Sequence, residues 1–169
     1  LKFCTYLMYC GLFKNNTILS SLSGNSNWLK SIISFSIFFD SKKFRSLIDN
    51  SSVLEFQKKG RLIICLIEFR PLKEIEHVMA AVLKSYKPSE IGIAIMYGNK
   101  NKALVETTFK NWKNMIFIHK NIDNVDRGIY SAHLKSPEFY ENFSQWSHVL
   151  IYQTDALLFR KIDDIYFNY

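Results

Sequence analysis

Cysteine is scarce in this chain: Cys4, Cys10 and Cys65 are an odd number with no CxxC spacing. That pattern supports neither a disulfide framework nor a cysteine-built zinc site. Cys65 stands inside an apolar run, where a free thiol behaves as a small hydrophobe. Unpaired thiols fit a reducing compartment better than an oxidising one, which favours the cytoplasm. Long hydrophobic runs are missing as well. Leu1–Phe13 and Trp28–Phe39 are apolar, but each carries a lysine and falls short of the roughly 20 residues that cross a bilayer. Neither ends in a small-residue cleavage site, so no convincing membrane span or secretory signal is expected. The first residue is Leu, not Met, and a fragment or processed product is the expectation.

Dense basic charge is also lacking where it would matter. The net charge of +7 divides unevenly. Residues 1–60 hold eight Lys/Arg and three Asp/Glu, or +5, whereas residues 61–169 hold fourteen and twelve, or +2. Affinity for a phosphate backbone needs clustered charge, so nucleic acid is not an expected partner. Lys42-Lys43-Phe44-Arg45 reads as a solvated face.

What the chain does have is hydrophobic content of 48% and charged content of 22%, the balance of a globular protein. Fourteen Phe, nine Tyr and three Trp are many for this length and belong to packed sheets and helices. The texture changes near residue 60. Before it, Asn15–Asn27 and Ser46–Ser52 are Ser/Asn-rich and separate short apolar pieces, so residues 1–59 are read as a helical or loosely packed segment. After it the pattern is regular. Arg61–Phe69 is a near-continuous β-branched and apolar run, as in a central strand covered on both faces. Leu72, Ile75, Met79, Val82 and Tyr86 recur at helical spacing, and Pro88 closes that helix. Ile91–Tyr97 is a second strand ending in a Gly98-Asn99 turn. Val105, Phe109 and Trp112 predict another helix, and Met115–His119 a third strand. Asn121–Ser136 reads as a polar, turn-rich loop. Ser136-Pro137-Glu138 is a helix start with Ser as N-cap and Pro at the first helical position. His148–Tyr152 is the fourth strand, running into Gln153-Thr154-Asp155, and a helix or turn follows over Lys161–Phe167. The alternation predicts an α/β fold, a Rossmann-like parallel sheet in order 3-2-1-4 spanning residues 60–169.

Ligands of open α/β sheets bind at the carboxyl ends of the strands. That rule selects Glu68–Arg70, Tyr97–Asn99, His119–Asn121 and Gln153–Asp155. An apolar strand ending in an acid puts one carboxylate where the strand opens to solvent, a suitable oxygen ligand for a hard divalent cation. His119 reads as a strand-end imidazole. Asp123, Asp126 and Arg127 read mostly as loop charges, and Asp163 and Asp164 as helix-start acids.

His148–Phe167 resembles the metal-binding segment of A-type-fold glycosyltransferases, particularly the glycogenin-like retaining enzymes, whose strand ends in D-x-D. A closer resemblance is to a glycosyltransferase-like domain family of unknown function, found in giant viruses and some eukaryotic microbes. Glu68-Phe69-Arg70-Pro71, Gly98-Asn99 and Val149–Leu158 carry it, in that order, over about residues 60–169. The resemblance implies that Asp155 ligates Mn²⁺ or Mg²⁺ on the diphosphate of a nucleotide sugar. It implies that Glu68, Arg70, Gly98, Asn99, Gln153 and Thr154 lie near that substrate, with transfer to an acceptor the residues do not name. Gln153 stands where the D-x-D enzymes have their first acid, and an amide is a poorer metal ligand than a carboxylate. These enzymes need a second half for the acceptor, so the chain is expected to be truncated.

Two rivals stand beside glycosyl transfer. One is a non-catalytic or truncated relative acting as a binding or interaction module. The other is an unrelated nucleotide-binding enzyme on a similar sheet, for which a G-x-G-x-x-G turn after Arg61–Phe69 would be expected; none is present.

Overall fold

The computed structural model describes residues 53–156, 158 and 160–168. The expected helical amino-terminal segment, apart from its last few residues, lies outside them, as do both early apolar stretches, Cys4 and Cys10.

The apolar run after residue 60 forms β2 (Gly60–Ile67), preceded by a two-residue strand, β1 (Leu54–Glu55). Successive side chains of a strand point to opposite faces. Leu62, Ile64 and Leu66 therefore enter one core cluster and Ile63, Cys65 and Ile67 the other, none more than 5% exposed. Burial on both faces is why this segment carries no polar alternation. Backbone pairing fixes its central place. β2 runs parallel to β3 (Gly92–Tyr97) from Ile63↔Gly92 to Ile67↔Met96, and parallel to β6 (Trp146–Tyr152) from Gly60↔Trp146 to Leu66↔Tyr152. β5 (Ile116–His119) adds to β3 in parallel, from Ala94↔Ile116 to Tyr97↔His119. The sheet order is β5-β3-β2-β6, which is 3-2-1-4 when its four strands are counted along the chain. The fold is thus the Rossmann-like parallel α/β arrangement predicted by the hydrophobic pattern.

The helices divide between the two faces. α1 (Glu74–Ser85) buries Ile75, Val78, Met79 and Val82 against the first cluster, and α2 (Lys102–Thr108) adds Val105. α3 (Arg127–Lys135) and α4 (Pro137–Glu141) cover the second, through Leu134 and Phe139. Ser136 caps α4, its hydroxyl accepting from Phe139 N at 3.3 Å, as its Ser-Pro-Glu start predicts. The connections β2–α1–β3–α2–β5 stay on one face. The return through α3 and α4 to β6 uses the other. Strand order therefore reverses between β2 and β6, and their carboxyl ends part there to leave a crevice.

Three expectations are corrected. Trp112 is not on a helix. α2 ends at Thr108 with Phe109 as its C-cap, the Phe109 N–H bonding Val105 O, and Trp112 begins β4 (Trp112–Lys113), which pairs in parallel with β1 to make a second, two-stranded sheet. Its indole instead fills space between Phe109 and Phe56, at centroid distances of 4.6 and 5.1 Å. Asn114, at φ 63°, then turns the chain toward β5. The segment 121–136 is not all loop, because Asp126 caps α3 by accepting from Ile129 N at 2.8 Å. β6 begins at Trp146, two residues before the predicted His148, and the indole lies directly over Gly92. Among the described residues no helix is long and apolar enough to cross a membrane.

Candidate functional site

A cleft of about 410 Å³ opens at the reversal point, lined by Ile67–Arg70 at the end of β2, by Gln153–Asp155 just after β6, and by Asn124–Arg127 and Tyr130. Four of the sequence-predicted residues, Glu68, Arg70, Gln153 and Thr154, and the predicted metal ligand Asp155 are brought together here.

Glu68 is the centre of the arrangement. β2 stops pairing with β6 before it, while its N–H still bonds Met96 O at 3.1 Å, and the side chain folds under the cleft at 4% exposure. Its Oε1 accepts from Phe69 N (3.0 Å), Arg70 N (2.9 Å) and Arg70 Nε (2.8 Å). Its Oε2 accepts from Arg70 Nη2 (2.8 Å) and Thr154 Oγ1 (2.5 Å). Burial alone would raise its pKa. The hydrogen bonds from Arg70 and Thr154, with Arg70's backbone N–H and positive charge, outweigh burial and hold the carboxyl below its ordinary value. The same fork raises the Arg70 guanidinium, with Asp155 and Glu74 adding smaller attraction.

Opposite stand Arg127, at the start of α3, and Tyr130, one turn along it. Burial pushes the Tyr130 phenol up and the charge of Asp155 adds to it, while the nearby Gln153 side chain works the other way. The cleft holds three acids: Glu68 has both oxygens engaged by its fork, and Asp126 gives Oδ1 to the α3 cap, where it takes Ile129 N. Asp155 is exposed and makes no side-chain hydrogen bond among the described residues, so both its oxygens are open to a ligand.

Gly98 and Asn99 do not line this cleft. Gly98 packs so closely that a Cβ there would overlap Ile122 O and lie 2.8 Å from Phe69 Cδ1, so glycine is required by space. Its N–H donates to Asn101 Oδ1 at 3.0 Å, and Asn101 Nδ2 donates to Glu68 O at 2.7 Å. Asn101 is fully buried, a polar tie between the ends of β2 and β3 that the sequence reading missed. A lone Asn in a polar turn gives no signal of such a role. Asn99 belongs to a second, exposed polar group: Nδ2 donates to Asn121 Oδ1 (3.1 Å) and Asp123 Oδ1 (3.2 Å), and Oδ1 lies 3.1 Å from His119 Nε2. The sequence pattern also gives no sign of the cleft wall residues Asn124, Val125 and Tyr130, because α3 is not visible in it; Arg127, which reads mostly as a loop charge, lines the wall beside them.

Among the described residues no group of three or more His, Cys, Asp or Glu side chains is placed to hold a metal ion. A stand-alone metal centre therefore does not fit these residues. One free carboxylate does suit a Mg²⁺-like cation that takes most of its ligands from phosphate oxygens and water.

Fold and cleft define the class: a Rossmann-like α/β domain with a polar crevice at its topological switch point. Residues 111–169 match the model of a family described as a protein of unknown function (DUF5672), a stretch that includes β5, α3, β6 and the Gln153–Asp155 corner. No curated protein and no solved structure matches the chain significantly.

Proposed function

We propose that the cleft binds the diphosphate of a nucleotide sugar and that the domain serves glycosyl transfer to an acceptor. The observation that carries this reading is that Arg70 and Arg127 line one crevice together with Asp155, an exposed carboxylate that no hydrogen bond engages among the described residues. Two guanidinium groups favour a ligand of concentrated negative charge, and planar N–H forks match phosphate oxygens. A carboxylate beside them would repel that ligand unless a cation lies between. Mn²⁺ or Mg²⁺ arriving with the diphosphate, with Asp155 as protein ligand, resolves the conflict and would neutralise charge on the departing diphosphate. The position of the cleft at the strand-order reversal is where open parallel sheets bind nucleotides, and the resemblance of Val149–Leu158 to glycosyltransferase segments points the same way.

A second reading is a binding module without transfer chemistry. Gln153 in place of a first acid and the full engagement of Glu68 favour it, since neither then serves as metal ligand or general base. Calorimetric titration with uridine and guanosine diphosphates, with and without Mn²⁺, tests both readings. Metal-dependent binding that Asp155→Ala abolishes supports the donor site. Metal-independent binding retained in Asp155→Ala supports the module. Absence of binding by the folded chain contradicts the donor site and favours the truncated or non-catalytic reading.

A further inference from the structure

Arg70 is 61% exposed, a position at which an arginine ordinarily samples many rotamers. Here its Nε and Nη2 edge is bound to both oxygens of Glu68, each at 2.8 Å. Glu68 is in turn fixed from the other strand: Thr154 Oγ1 donates to its Oε2 at 2.5 Å across 86 residues of sequence. Short hydrogen bonds to a carboxylate are among the strongest a neutral hydroxyl makes. Nη1 has no hydrogen-bond partner among the described residues, and Arg70 lines the cleft.

We propose that Thr154 is a positioning residue that holds Arg70 in one conformation, chiefly through Glu68 and also through its own Oγ1, which accepts from Arg70 Nη2 at 3.4 Å, with Nη1 offered to the ligand's phosphate. The inference rests on the reading of the cleft as a diphosphate site, and it assigns Thr154 and Glu68 to preorganisation in place of substrate contact. The gain is entropic. A guanidinium ordered before the ligand arrives spends none of the binding energy on its own ordering. Thr154 is the linchpin because its hydroxyl is the one side-chain donor that reaches Glu68 from β6's end; the other donors to this carboxylate come from Phe69 and Arg70.

The test compares wild type with Thr154→Val, which keeps the shape and removes the hydroxyl, and Thr154→Ser, which keeps the hydroxyl. Exchange of the Arg70 Nε proton with water is followed by ¹⁵N NMR on the ligand-free chain. Slow exchange in wild type and Thr154→Ser, and about tenfold faster exchange in Thr154→Val, is expected for loss of one charge-assisted bond. Affinity for inorganic pyrophosphate is measured on the same samples and is expected to fall about tenfold in Thr154→Val, with recovery in Thr154→Ser. Equal Arg70 protection in wild type and Thr154→Val overturns the proposal. Loss of protection with no pyrophosphate binding even by wild type leaves the positioning role standing and overturns the diphosphate reading alone. Thr154→Ala provides the same comparison should the valine variant fail to fold.

Discussion

Replacing Asn101 by Ala removes the tie between the two strand ends that carry Glu68 and Gly98. The side chain is fully buried, donating to Glu68 O at 2.7 Å and accepting from Gly98 N at 3.0 Å. Alanine orphans one buried carbonyl and one buried N–H. Each orphan costs about 1–3 kcal/mol, so the sum is about 2–6 kcal/mol. That is a large share of the roughly 5–15 kcal/mol that holds a domain together. Asn101→Asp should be no better, since it keeps the acceptor for Gly98 but turns a carboxylate oxygen on the Glu68 carbonyl. Asn99→Ala is the control. Its partners Asn121, Asp123 and His119 are exposed, and the loss should stay within about 0.5 kcal/mol. Urea denaturation followed by circular dichroism reads the difference as a lower midpoint at unchanged slope. A loss under about 1 kcal/mol for Asn101→Ala, or equal losses for the two alanine variants, would refute the reasoning.

Other outcomes follow from the same geometry. Gly92→Ala should cost about 1–3 kcal/mol because its methyl meets the Trp146 ring, and Trp146→Leu in the same chain should recover part of that loss, read from urea midpoints. Gly98→Ala should be harder to rescue, since its new methyl meets backbone at Ile122, which no side-chain change can withdraw. Glu68 gives a pH signature. Its folded pKa lies below the ordinary 4.5, so its stabilisation is present above about 4.5 and is lost as pH falls through the lower folded value. Glu68→Gln should remove that acid-side slope from a pH series of unfolding midpoints, and an unchanged slope would show that the fork contributes nothing.

The sheet was legible in the sequence because its signals are non-local in effect but local in spelling. Arg61–Phe69 is apolar without alternation since Leu62–Leu66 are buried on both faces, and that alone marks a central parallel strand. The strand ends followed, so Glu68, Arg70 and Gln153–Asp155 could be named before their convergence was seen. The meaning of Glu68 could not. Only tertiary pairing shows that its oxygens are filled by Arg70 and Thr154. α3 was hidden for a related reason. Arg127, Gly128, Ile129, Ala132 and Lys135 are exposed and Leu134 alone is buried on it, so the apolar stripe is too thin to read. Trp112 misled because its spacing from Val105 and Phe109 is helical while its packing is against Phe56, from β1's side of the molecule.

The most direct check on the cleft is chemical-shift mapping of the ¹⁵N-labelled full chain with uridine diphosphate and Mg²⁺. The account predicts the largest shifts at Arg70, Arg127, Tyr130 and Thr154–Asp155. Shifts concentrated in the separate depression bounded by Tyr97, Glu106 and Phe117, or no shifts from a folded chain at millimolar ligand, about the weakest binding worth interpreting, would contradict it.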